Sequence, residues 1–243
     1  MPVGDVLADV WERSTTTQAP PHLAVVAALG VIAVIIVASP AGYRGIRHGI
    51  TVLHEAGHAV LALMVGRRLS GIRLHSDTSG VTVSRGRARG PGMVATLLAG
   101  YPTPALVALG ATVVLNAGYA VGVLWAVVVV SAAMALFVRN LYGFVVLLFI
   151  GGGVAVVSWT VPAVAASGLA YLLVWTLLLS APRSVLELSA QRRRSAAVGR
   201  RDASSDAAQL AALTGVPAPL WVASFMTVTV VCAVAGIALM LMR

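Results

Sequence analysis

Residues 51–65, TVLHEAGHAVLALMV, constrain this chain more than any other stretch. His54 and His58 stand four residues apart, so on a helix both imidazoles leave one face about a turn apart. One metal ion can sit between them. Glu55, next to His54, can reach a water on that metal without being a ligand itself. His-Glu-x-x-His is the spacing of two imidazoles on Zn²⁺ with a carboxylate as general base for the attacking water. Apolar residues run without a break over 59–65 and fill most of 50–53, so the motif lies in a segment able to enter a bilayer. A carboxylate and two imidazoles there cost a few kcal/mol, which marks them as functional and in need of partners.

Composition agrees with a membrane setting. Hydrophobic residues make up 59% of the chain and charged residues 10%, with a mean hydropathy of +0.93. Those shares describe an integral membrane protein. All 17 basic residues are Arg, and the net charge is +9. The arginines flank hydrophobic spans, so orientation and anionic lipid account for them and nucleic acid is not expected as a partner. Cys232 is the single cysteine, in an apolar run, and cannot form an internal disulfide.

The stretch HEAGHAVLALMVG and the short Arg/Gly segment after it resemble the site-2 protease family of intramembrane zinc metallopeptidases, over residues 51–74. The likeness is to a compact bacterial branch. It implies a transmembrane helix carrying the metal-binding His54 and His58 with Glu55 as catalytic base. It also implies a re-entrant β-hairpin after that helix and an aspartate from a later segment as third zinc ligand. The family's usual context for that aspartate, an Asn/Pro-rich stretch ending in Leu-Asp-Gly, is absent here.

Along the chain, residues 1–21 read as a polar N-terminal tail without the basic start of a signal peptide. Residues 22–243 read as a single integral-membrane metalloprotease domain. Residues 22–39 are about long enough to span, and Pro40 ends them. His48 lies off the ligand face and reads as interfacial. After Gly66 the period changes to alternation, predicting a hairpin over 71–84 that turns at residues 77–80. Its free edge is a candidate template for an unwound substrate segment. Apolar runs follow at 93–115, 119–138, 141–160 and 162–181, the first broken at residues 100–104 in a way that usually borders a cavity. Asn140 is a candidate contact for substrate backbone, and Arg139 reads as a boundary anchor. The three glycines 151–153 suggest close helix packing. Trp125, Trp159, Trp175 and Trp221 suit either an interfacial belt or packing. Residues 183–216 read as an Arg-rich cytoplasmic loop touching lipid, containing a short helix that begins at Ser205-Asp206 and ends at Gly215. A last span follows Pro219.

The third ligand has few candidates, because the chain has eight carboxylates and five histidines. Glu55 is the base, and Asp5, Asp9 and Glu12 belong to the tail. His75 and Asp77 fall in a hairpin turn, Glu187 precedes the Arg run as an ion-pair candidate, and Asp202 sits in the most polar stretch. Asp206 differs because Ala207, Leu210 and Leu213 give its helix a face able to dock on the bundle. Its Ser-Asp-Ala setting also resembles the ligand position of compact family members. Asp206 is thus the expected third zinc ligand, set against a plain charge favoured in a helix's first turn; Asp77 and His75 are the alternatives should it fail.

The expectation is an all-α polytopic membrane protein of about seven transmembrane helices, with a short β-hairpin after the HEAGH helix. Seven alternating spans with the N-terminus inside put the arginines of 67–89 and 183–201, Arg13 and Arg139 in the cytoplasm of a multi-pass cell-membrane protein, against Arg44, Arg47 and Arg243 outside. The function the resemblance implies is zinc-dependent hydrolysis of peptide bonds in or near transmembrane segments of other membrane proteins. A membrane protein that keeps the motif without proteolysis, as metal carrier or inactive scaffold, is the other class. Such a carrier should show polar residues on several spans; here they concentrate on one.

Overall fold

Apolar helix-forming sequence fills most of the chain, and among the described residues the regular structure is helical apart from one two-stranded sheet. The structure is a computed structural model that describes residues 3–199 and 202–242; Arg200, Arg201 and Arg243 lie outside the described residues.

The polar tail of the sequence reading is in fact helix α1, Val3–Thr15. Asp5 in its first turn and Arg13 in its last suit the helix dipole, and Asp9 pairs with Arg13 at 3.2 Å. The chain after it is tied down: Gln18 N donates to Gly118 O at 2.8 Å and Gln18 Oε1 accepts from Val121 N at 3.0 Å.

Helix α2, Leu23–Ala38, is apolar all round, so burial picks its inner face. Val26, Gly30, Ala33 and Val37 point inward, while Val31 and Ile35 lie on an outer face suited to lipid. Ser39 ends α2 and caps α3, Pro40–Met64, accepting from Gly42 N at 3.0 Å with Pro40 in the first turn. The axes of α2 and α3 differ by 96°.

Gly66, at φ 75°, ends α3 and leads into β1, Arg68–Leu74, antiparallel to β2, Gly80–Arg85. The hairpin thus begins three residues earlier than the alternation suggests, because Arg68 and Leu69 already pair across it. Ile72 and Leu74 bury against Val52, Ala59 and Val138. One edge of β1 is closed: Ile72 N donates to Phe137 O and Arg139 N to Ile72 O, both at 2.9 Å. Asn140 extends this pairing with its side chain, donating to Leu74 O at 2.7 Å and accepting from Leu74 N at 3.2 Å. Asn140 therefore serves the sheet rather than a substrate backbone. The outer edge of β2 pairs with no strand among the described residues.

The apolar run 93–115 is two helices, α4 (Pro91–Ala99) and α5 (Pro102–Asn116), bent by 60°. Helix α6 is Ala120–Ala135. Helix α7 (Leu141–Leu147), a π-helical turn (Leu148–Gly152) and α8 (Gly153–Thr160) form the next leg. A Cβ on Gly151 would lie 2.7 Å from Ser131 Cβ, so α6 approaches here as closely as the glycine run suggests. Helix α9, Ala163–Ala197, holds Pro182 and continues through residues 183–197 of the Arg-rich segment read as loop. Leu, Glu, Ala, Gln and Arg are good helix formers, and charge alone does not stop a helix. Helix α10, Asp206–Thr214, is capped by Ser205 and ended by Gly215 at φ 76°, as its sequence predicts. Helix α11 is Ala218–Leu241.

Among the described residues, three helices are long and apolar enough to cross a membrane, or up to five if each bent pair is one span, against the seven expected from the sequence. Three of the four tryptophans singled out above pack into the bundle. Trp175 fills the notch left by Gly30, Trp125 and Trp221 lie against core clusters, and Arg13 covers Trp159.

Candidate metal centre

Helix periodicity puts Arg47, Thr51, His54 and His58 on one face of α3, the face turned to α4, α9 and the hairpin. His54 Nε2 and His58 Nε2 lie 3.0 Å apart. From the start of α10, Asp206 Oδ2 comes within 3.2 Å of the first and 3.3 Å of the second. A tetrahedral zinc with bonds of about 2.0–2.1 Å has donor atoms about 3.3 Å apart, so these three atoms outline one face of such a site. Asp206 Oδ2 is buried and makes no directed hydrogen bond among the described residues, so the atom nearest both imidazoles lacks the partner a cation would supply. The donor set of two imidazoles and a carboxylate is that of a catalytic zinc with one position left for water or substrate. The residues present fit the ion.

The surroundings orient the donors. His58 Nδ1 donates to Thr96 O at 2.7 Å, which fixes the proton on Nδ1 and leaves the Nε2 lone pair facing Asp206. The ring of Tyr101 meets His54 edge-on, with centroids 4.7 Å apart, and stacks on Phe225 at 5.1 Å. Gly100 lies under both histidines: a Cβ there would be 2.5 Å from His54 Cε1 and 2.6 Å from His58 Cε1.

Asp206 is held by the docking of α10, whose Ala207 and Leu210 are fully buried among Leu97, Val185, Leu188 and Phe225. The rival carboxylates are engaged elsewhere. Asp202 receives Arg192 at 2.8 Å and Ser205 Oγ at 2.6 Å. Glu187 pairs with Arg47 at 3.4 Å rather than with the Arg run, and accepts from Tyr43 OH at 3.3 Å. Asp77 sits in the exposed hairpin turn, bonded to Ser79 at 2.6 Å, and neither it nor His75 joins the cluster. His48 bonds Tyr142 OH at 2.7 Å, away from the site.

Glu55 is 3% exposed and accepts from Thr82 Oγ1 at 2.6 Å. It opens, with both histidines, onto a cavity of about 410 Å³ lined by Arg47, Thr51, Thr82, Tyr101 and Glu187 among others. Thr82, Thr96 and Gly100 escape a reading of the sequence. The break at residues 100–104 points to the place, and Thr82 lies on the inward side of an alternating strand, but neither signal names a role.

No curated protein and no solved structure matches the chain. The model of the Peptidase M50B-like family matches residues 26–236, from the second turn of α2 to the last turns of α11, with the whole of the cluster inside it. The chain therefore belongs to the Peptidase M50B-like family, within the site-2 proteases.

Proposed function

We propose that this membrane protein is a zinc-dependent endopeptidase that hydrolyses peptide bonds in or near transmembrane segments of other membrane proteins. The observation that carries the reading is the convergence of His54 Nε2, His58 Nε2 and Asp206 Oδ2 beside the buried carboxylate of Glu55. Zn²⁺ held by His54, His58 and Asp206 would acidify the attacking water and polarise the scissile carbonyl. Glu55 takes the proton of that water and returns it to the leaving amine. Asp206 and the imidazoles keep their lone pairs directed inward, through Thr96 and the α10 contacts. The outer edge of β2 offers backbone groups to an extended peptide, which gives an unwound transmembrane segment a place to lie along the cavity. The Arg-rich end of α9, with Arg193 and Arg194, suits anionic lipid headgroups.

The test joins metal analysis of the purified protein with cleavage of a transmembrane reporter in vesicles. About one zinc per chain and cleavage by the wild type are expected. Glu55→Gln should keep the zinc and lose cleavage by about two to four orders of magnitude. Cleavage by that variant at the wild-type rate would overturn the mechanism.

A further inference from the structure

Strand β2 does more than border the cavity. Thr82 Oγ1 lies 2.6 Å from Glu55 Oε2 and 3.2 Å from the backbone carbonyl of Glu55. The hydroxyl has one proton, and the charged acceptor at the shorter distance takes it. The other carboxylate oxygen meets the backbone of the same strand: a Cβ on Gly80 would lie 2.7 Å from both Oε1 and Cγ of Glu55. Strand β2 therefore covers the carboxylate from one side, and only glycine lets it come this close. The hairpin is fixed there by Thr51 Oγ1, which donates to Thr78 O at 2.7 Å from one turn before Glu55 on α3. Thr78 holds a positive φ of 67° to present that carbonyl.

We propose, resting on the protease reading above, that Thr82 is a positioning residue for the general base: its hydroxyl holds Oε2 of Glu55 so that the carboxylate faces the attacking water. A carboxylate without that bond rotates about its last torsion and spends less time in the productive orientation. The placement of Thr82 also ties the base to the substrate. Its side chain reaches Glu55, while the outer edge of its own strand is the one free to receive a peptide. A peptide aligned on β2 is thus aligned on Glu55.

Thr82→Val removes the donor and keeps the β-branched shape; Thr82→Ser keeps the donor. The first arm is infrared spectroscopy of the purified, zinc-loaded protein with ¹³C in its glutamate carboxylates. There are only three glutamates, Glu12, Glu55 and Glu187, and the Glu55 band is the one lost in Glu55→Gln. That band is expected to shift in Thr82→Val and to stay in place in Thr82→Ser. An unshifted band in Thr82→Val overturns the proposal whether or not the protein cleaves anything. The second arm is cleavage of the transmembrane reporter. Thr82→Val should lower kcat by about tenfold or more with KM within about twofold and zinc content unchanged, and Thr82→Ser should restore most of it. A raised KM with unchanged kcat would assign Thr82 to substrate binding and overturn the positioning role. A wild-type protein that leaves the reporter intact would sink the protease reading, and the infrared arm would still decide what Thr82 does to Glu55.

Discussion

Gly100 leaves the two histidine rings the room they occupy. Its backbone is helical, so alanine suits its φ and ψ, and the cost of Gly100→Ala is steric alone. The methyl would press on both imidazoles at 2.5–2.6 Å, and His58 cannot retreat without breaking its bond to Thr96. Gly100→Ala is expected to drop zinc occupancy to well below half while the helical circular dichroism stays unchanged. Full occupancy would remove the α4–α5 bend from the site. Asp206→Ala takes one donor from three, and should lose both zinc and reporter cleavage, read by metal analysis and by the product band. Bound zinc at the wild-type level would show that the histidines find their third partner elsewhere. Much of this cluster's geometry was legible in the chain. The pair His54 and His58 is a local spacing on one helix, and Glu55 goes with it. Asp206 could be reached because a chain with eight carboxylates leaves few choices and because Leu210 gives its helix a face to bury. Thr96 acts through its carbonyl and Gly100 through an empty space, and neither has a side-chain signature to read.

Among elements, α10 and the turn before it carry the fixed position of Asp206. Asp202 ties this turn to α9: its carboxylate receives Arg192 and both the hydroxyl and the amide of Ser205, the N-cap of α10. Burial raises the carboxyl's pKa, but the Ser205 bonds and Arg192 outweigh it and leave it below the ordinary aspartate value. A carboxyl with a depressed folded pKa contributes stability above its unfolded value, and loses it as pH falls through the folded one. The strap should therefore hold from neutral pH down to about pH 4, the ordinary aspartate value, and release only below it. Hydrogen exchange over α10 should stay flat between about pH 7 and 5 once corrected for the intrinsic rate, while Asp202→Asn should speed it at both. Equal protection in the variant would mean that Leu210 and Ala207 dock α10 unaided. The cap and the final glycine of α10 were readable from sequence. The α9 continuation was not, because an Arg-rich run looks like a loop by polarity and like a helix by propensity. The hairpin was readable from its alternation, but its closed edge was not, since residues 137–140 join it through backbone groups and one amide from far along the chain.

At the scale of the whole molecule, the turns sort to two ends of the bundle. Residues 16–22, 117–119 and 161–162 meet at one end: Gln18 bonds Gly118, Arg13 donates to Trp159 O, and Asn116 donates to Leu239 O near the end of α11. The hairpin, residues 136–140 and the start of α10 meet at the other, with the metal cluster. Helix α3 begins and finishes at this second end. Tyr43 lies under Arg183 in the later half of α9, and beyond its other terminus Arg67 bonds Arg87 and Ser84. The legs that run between the ends are then α2, α5, α6, α7 with α8, α9 and α11, an even number. Counting α3 as a crossing is what gave seven and an N-terminus inside. With α3 on one side, both termini share a face, and it is the face opposite the arginines. Among the described residues, Arg13 alone lies at the terminal end, while those of α3, the hairpin segment, Arg139 and α9 lie at the other. The positive-inside rule predicts the second end in the cytoplasm. The N-terminal helix α1 is thus expected outside, with the metal cluster towards the cytoplasmic face. Labelling intact cells with an impermeant maleimide tests this in a Cys232→Ala background, using single cysteines at Thr15 and Ala196. Thr15→Cys should react from outside, and Ala196→Cys only after the membrane is opened. The reverse pattern would restore α3 as a crossing and the N-terminus to the cytoplasm.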